Sequence, residues 1–139
     1  MAEYKDQDFL NRLGIDYLSL KSFWPKGGPQ WDDLGRIKQA KGNDVILVEA
    51  KSNLAELKSG GTKARSSSSL SLINKSLQEL KDYLGVASES NWANVYYQYC
   101  NRLAHLYYLR NHKVKAYLVF VYFIGDHSVK GPKTKEEWA

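Results

Sequence analysis

The sequence predicts one α/β domain, a mixed central β-sheet with helices packed on it. Three observations predict it. The run Ala116 to Ile124, inside "KAYLVFVYFIG", is apolar enough to be a central strand buried on both faces. Leu34–Gln39 and Asp44–Ser52 read as two strands joined at "AKGN". Leu70, Ile73, Leu77, Leu80 and Leu84 recur at helical spacing. With 139 residues the chain has room for one core and not for two domains, so residues 1–139 are read as a single unit.

Taken in order, Tyr4 to Leu13 reads as a short first helix closed by Gly14. Ile15 to Trp24 has a mixed pattern and is expected to be extended. "PKGGP" (Pro25 to Pro29) is a loop. The hairpin follows, then a short helical turn over Leu54–Lys58. "KSGGTKARSSSS", residues 58–69, reads as a flexible, basic, glycine/serine-rich loop. The amphipathic helix begun at Leu70 stops at Gly85. Asn91 is the expected N-cap of a long helix from Trp92 to about Arg110, with Trp92, Val95, Tyr99, Leu103 and Leu106 on its apolar side. After the buried strand, "GPKTKEEWA" reads as the start of another helix. The domain is therefore expected to be truncated at its C-terminus, with apolar surface open to self-association.

Composition narrows the function classes. Hydrophobic residues make up 43% of the chain, with ten tyrosines and four tryptophans, which argues against a disordered chain. The formal charge of +5 and pI near 9.2 suit a polyanionic partner, but suit a lysine-rich soluble protein equally. One cysteine, Cys100, excludes an internal disulfide framework and points to a reducing compartment. No apolar run reaches membrane-spanning length, and "MAEYKDQD" lacks the pattern of a signal peptide. A cytoplasmic protein without membrane partners is expected. "SGGTKARS" lacks Walker spacing, and no Gly-x-Ser-x-Gly is present. Cys100, His105, His112 and His127 do not have zinc-site spacing.

The hairpin carries the chemistry. Side chains alternate along a strand, so Val45, Leu47, Glu49 and Lys51 share one face, while Ile46, Val48 and Ala50 take the other. With Ala40–Asn43 as the loop, Gln39 faces Asp44, Leu34 faces Glu49 and Asp32 faces Lys51. Asp32 then lies on the Glu49 face, diagonal to it at roughly 7–8 Å between backbones, and Asp33 points the other way. A two-residue turn shifts the pairing by two and keeps that parity. Two carboxylates so placed can share Mg2+, with Mn2+ as a substitute, and the Ala50 carbonyl can add a third oxygen. Lys51 beside them can position water or offset charge on phosphorus. The competing reading is a charged hairpin end with a solvated Glu49–Lys51 pair.

Asp, a spacer, then Glu-x-Lys closing an apolar strand resembles the PD-(D/E)xK nuclease superfamily, the restriction-endonuclease-like fold. Pro29-Gln30-Trp31-Asp32 matches its first motif with Gln-Trp inserted, and Glu49-Ala50-Lys51 matches the second. The resemblance covers most of the chain and implies an α-β-β-β-α-β core. It implies a metal-dependent nuclease hydrolysing phosphodiesters in DNA, with RNA also within reach of the chemistry, and a homodimer would suit double-strand cutting. Asp32 and Glu49 would bind the metal with the Ala50 carbonyl, and Lys51 would assist the attacking water. Relatives place a glutamine on the helix after Glu-x-Lys, which assigns that role to Gln98. Asp33 is the fallback for Asp32.

Asn94, Gln98, Asn101, Arg102 and His105 form a polar stripe on the long helix. Arg102 or Asn101 could contact phosphate; a plain solvent face is the competing reading. Lys58, Lys63 and Arg65 suit contact with a phosphate backbone. Glu56, or Glu3, Asp6 and Asp8 on the first helix, could add a carboxylate. Tyr96, Tyr97, Tyr107 and Tyr108 could stack on bases, or serve core and interface. Two other functions use the same residues: a catalytically silent nucleic-acid-binding module on the same fold, and a protein-interaction subunit whose charges lie on the surface.

Overall fold

The computed structural model describes residues 6–139. In chain order it holds α1 (Asp6–Arg12), α2 (Tyr17–Phe23), β1 (Asp33–Lys38), β2 (Asn43–Lys51), a 3-10 turn (Leu54–Glu56), α3 (Ser67–Leu84), α4 (Tyr97–Asn111) and β3 (Ala116–Tyr122). Two further 3-10 turns, His127–Val129 and Glu136–Trp138, close the chain, the latter where a full helix was expected to start. The sheet has the order β1-β2-β3, with β1 antiparallel and β3 parallel to β2. The chain is thus a mixed α/β fold on a three-stranded mixed sheet. Among the described residues no third strand intervenes between the hairpin and the helices, so the α-β-β-β-α-β order is not what the chain builds.

Ile15 to Trp24 is not extended. Asp16 caps α2 by accepting from the Leu18 amide at 3.0 Å, and Leu20 and Trp24 are buried. Tyr17, Leu20 and Trp24 have the i, i+3, i+7 spacing of one helix face, which the apparent mixture concealed. The serines read as loop also start a helix. Ser66 accepts from the Ser69 amide at 3.2 Å, so α3 begins at Ser67 and residues 67–69 leave the loop. Gly85 ends α3 as expected, at φ +66, a left-handed position that glycine reaches without a Cβ clash.

The long helix begins later than Trp92. Asn91 caps only a turn, through the Ala93 amide at 2.9 Å, and Tyr96 at φ +65 interrupts the chain before α4. A left-handed residue cannot continue a right-handed helix.

The core uses one face of the sheet. Val45, Leu47 and Ala116 are buried with Leu10, Leu20, Trp24, Ile73, Leu77, Leu80, Ala104 and Leu109 from all four helices. On the other face Tyr117 and Val119 are exposed. The expectation that Ala116–Ile124 is a central strand buried on both faces therefore fails: β3 is an edge strand covered on one side, and Phe123 and Ile124 are exposed beyond it. An apolar run does not distinguish these cases, because residues facing outward here are Val and Tyr rather than charged.

Candidate active site

Alternation along β2 sends Val45, Leu47, Glu49 and Lys51 to the covered face. The first two are dry core. The second two are charged and still buried, Glu49 to 2% exposure and Lys51 to 8%. A buried carboxylate costs several kcal/mol unless it is paired and hydrogen-bonded. Glu49 is paired twice. Lys51 Nζ donates to Oε1, and Arg102 Nε donates to Oε2 at 2.7 Å. Arg102 also donates to the Gln30 carbonyl at 2.8 Å and stands over the Trp31 ring at 5.2 Å. Lys51 makes a further bond to Gln98 Oε1 at 3.2 Å. The Gln98 amide in turn donates to Ser59 Oγ at 2.9 Å, which holds the first turn of α4 against the loop.

Asp32 reaches the same strand end. Its amide donates to the Val48 carbonyl at 3.1 Å, the residue that Asp33 also pairs with, and its Oδ2 accepts from the Ala50 amide at 2.7 Å. The observed register pairs Leu34 with Leu47 and Lys38 with Asn43, shifted by two from the expected pairing of Leu34 with Glu49. Gly42 at φ +82 supplies the left-handed turn position, which moves the loop to Gln39–Gly42. A shift of two preserves parity within β1, but Asp32 lies in a bend before β1, outside that register, and shares Val48 with Asp33 as a backbone partner, so alternation does not fix its face. Asp33 pairs with Val48 on the uncovered face, as parity requires.

Asp32, Glu49, Lys51 and Gln98 are thus linked at one end of the hairpin by direct bonds through β2. Glu56 lies nearby but closes the turn after β2, accepting from the Ser52 amide at 3.2 Å and from Asn53 Nδ2 at 2.6 Å. Asp8 is exposed on α1, and Glu3 and the side chain of Asp6 lie outside the described residues. Among the described residues no three His, Cys, Asp or Glu side chains form a metal cluster. The donors fit magnesium in kind. Asp32 is exposed, and a strand residue turns its carbonyl and amide to the same neighbour, so the Ala50 carbonyl faces the Asp32 side. Two carboxylates with substrate phosphate are ordinary magnesium ligation.

The polar stripe of α4 turns inward. Asn101, Arg102 and His105 are all buried, while Val95 and Tyr99 of the expected apolar side are exposed. The stripe is therefore no solvent face, and Arg102 spends its guanidinium on Glu49, Gln30 and Trp31. His105 is held neutral, its pKa lowered to about 4 by burial, against the Asn101 carbonyl at Nδ1 and further by the Arg102 charge. Burial pushes the Cys100 thiol up to about 11, which disfavours a thiolate.

Lys58, Lys63 and Arg65 are exposed on a loop tied down by Ser59 and by the Thr62 amide bound to the Ala93 carbonyl at 2.9 Å. Lys63 and Lys26 line a cavity of about 610 Å3 that reaches Gln98 and Asn101. Of the tyrosines considered for stacking, Tyr97 packs on Trp24 and Tyr107 and Tyr108 on Phe23, whereas Tyr96 is exposed. Sequence reasoning missed the Glu49–Arg102 pair. Its signal was the four-residue spacing of Gln98 and Arg102, which puts both on one side of α4. It also missed Tyr99, Phe120 and Tyr122, which only the β2–β3 register brings beside Glu49 and Lys51.

Comparison with protein-family models, curated proteins and solved structures finds no match. Among the described residues no helix is long and apolar enough to cross a membrane.

Proposed function

We propose that the chain is a metal-dependent nuclease of the PD-(D/E)xK type, on a restriction-endonuclease-like core that is, among the described residues, one strand short of the α-β-β-β-α-β order, acting on phosphodiesters in DNA. The observation that carries this reading is the convergence of Asp32, Glu49, Lys51 and Gln98 at one strand end, with Glu49 and Lys51 buried. An ion pair kept out of water is costly, and a hairpin end offers open solvent as the cheaper choice.

Asp32, Glu49 and the Ala50 carbonyl would hold magnesium, which supplies polarisation of a phosphoryl oxygen. Lys51 offers an ammonium donor to charge developing on the phosphate. Gln98 fixes Lys51 from α4, and Arg102 fixes Glu49 from one turn further on. Lys58, Lys63 and Arg65 give the strand a sequence-independent electrostatic grip.

The test is cleavage of varied DNA with magnesium, manganese or EDTA. Activity is expected only with a divalent ion and is expected to vanish in Lys51→Ala and Asp32→Asn. Metal-independent cleavage contradicts the reading. A second reading rests on the double clasp of Glu49 by Lys51 and Arg102, which suits a silent nucleic-acid-binding module. Salt-dependent DNA binding without cleavage in either metal favours that one.

A further inference from the structure

A cavity of about 750 Å3 opens directly on Glu49, Lys51, Gln98 and Arg102, within the size range of small-molecule sites. Its lining includes the aromatic residues Trp92, Tyr96, Tyr99, Phe120 and Tyr122. The parallel register sets Phe120 beside Glu49 and Tyr122 beside Lys51, on the covered face of β3, where the first turn of α4 lies against them. Tyr99 stacks on Phe120 with centroids 4.9 Å apart and planes 20° apart, and Phe120 continues to Tyr122 at 6.2 Å and 20°. Tyr96 and Tyr99 remain 48% and 44% exposed. Tyr96 holds a left-handed backbone at the mouth, a conformation non-glycine residues adopt at a cost. Tyr122 is backed in turn by Trp138 at 4.8 Å, so the open aromatic surface is that of Tyr96 and Tyr99 at the outer end of the stack. Exposed rings beside paired Lys and Arg are the chemistry of base stacking next to a phosphate.

We propose that this cavity takes an unpaired nucleobase of the strand whose phosphate lies at Lys51. The substrate is then single-stranded, or carries an unpaired nucleotide at the cut. A paired base has both faces stacked within its duplex and cannot enter a slot lined by rings unless it leaves the stack. Asn91 and Asn94 on the cavity wall offer amide groups to the base edge. The inference rests on the nuclease reading for the phosphate and on the cavity alone for the base.

The test separates the two. A single-stranded oligonucleotide containing 2-aminopurine is titrated in EDTA, where no cleavage occurs, against the matching duplex. The single strand is expected to bind more tightly, with its fluorescence quenched. Tyr99→Ala and Tyr99→Leu are expected to bind roughly 5- to 150-fold more weakly and to lose the quench, and Tyr99→Phe to retain both. Lys51→Ala is expected to keep the quench. Binding of duplex as tightly as single strand, no binding of either, or unchanged binding in Tyr99→Ala overturns the proposal. Strand-selective, Tyr99-dependent binding by a protein that cleaves nothing in magnesium supports the base pocket while removing the nuclease reading. Lys51-dependent duplex cleavage indifferent to Tyr99→Ala does the reverse.

Discussion

The two ends of the covered face of β2 are built on opposite principles. At one end Val45 and Leu47 are sealed by helices and need only shape. At the other end Glu49 and Lys51 lie almost as deep, yet need partners: Arg102 from α4 for the carboxylate, Gln98 for the ammonium. The apolar end gains stability from burial, at about 1.5–3 kcal/mol for each large side chain. The charged end gains little or loses, because desolvation offsets the attraction. The difference separates an end that stabilises the fold from an end whose burial does not.

Four changes break or sharpen this contrast. The largest effect is expected from Arg102→Met, which leaves Glu49 a partner short in the interior and should cost about 3–5 kcal/mol in urea unfolding. Converting Glu49, Lys51 and Arg102 together to methionine should restore most of that loss, because no charge is then left buried. If the triple replacement is as unstable as the single one, the charged end is structural after all.

Leu47→Ala tests the other end. It should cost roughly 2–5 kcal/mol by cavity formation. No compensating partner exists for it, so the loss should persist in every Glu49 background.

The third effect is pH dependence. His105 packs edge-on against Trp24 at 5.0 Å, at the apolar end, and its folded pKa of about 4 lies below the ordinary 6.5. The unfolded chain therefore binds the proton more readily. This contribution is fully present above about pH 6.5 and is lost as pH falls through 4, for a total on the order of 3 kcal/mol. Thermal denaturation between pH 7 and 4 should show a shallower decline for His105→Phe than for the unsubstituted protein. Equal slopes would mean that His105 is not the group being protonated.

The smallest stability effect is expected at Asp32. It is exposed and holds one backbone amide, so Asp32→Asn should cost about 1 kcal/mol or less. Activity should nonetheless disappear. A large stability loss, or full activity, would erase the contrast between an exposed carboxylate at Asp32 and a buried one at Glu49.

Much of this was legible in the residues, for identifiable reasons. Strand parity depends only on period two, so Glu49 and Lys51 could be set on one face although the register was displaced by two. Asp32 lies in the bend before β1, where alternation no longer decides its face. The heptad-like spacing of Leu70 to Leu84 and the stop at Gly85 located α3. The inward turn of Asn101, Arg102 and His105 was not legible, because polarity suggests solvent and the partner that reverses it, Glu49, lies 53 residues away in the chain. The single covered face of the sheet was equally hidden, since Tyr117 and Val119 carry no mark of exposure. The break at Tyr96 had no glycine or proline to announce it.

The most direct test of the central claim is Mn2+ binding followed by electron paramagnetic resonance in the presence of an oligonucleotide, the unsubstituted protein against Asp32→Asn and Glu49→Gln. The account predicts a bound ion that either substitution weakens at least tenfold, about 1.4 kcal/mol. No protein-dependent binding, or binding that ignores both carboxylates, would contradict it.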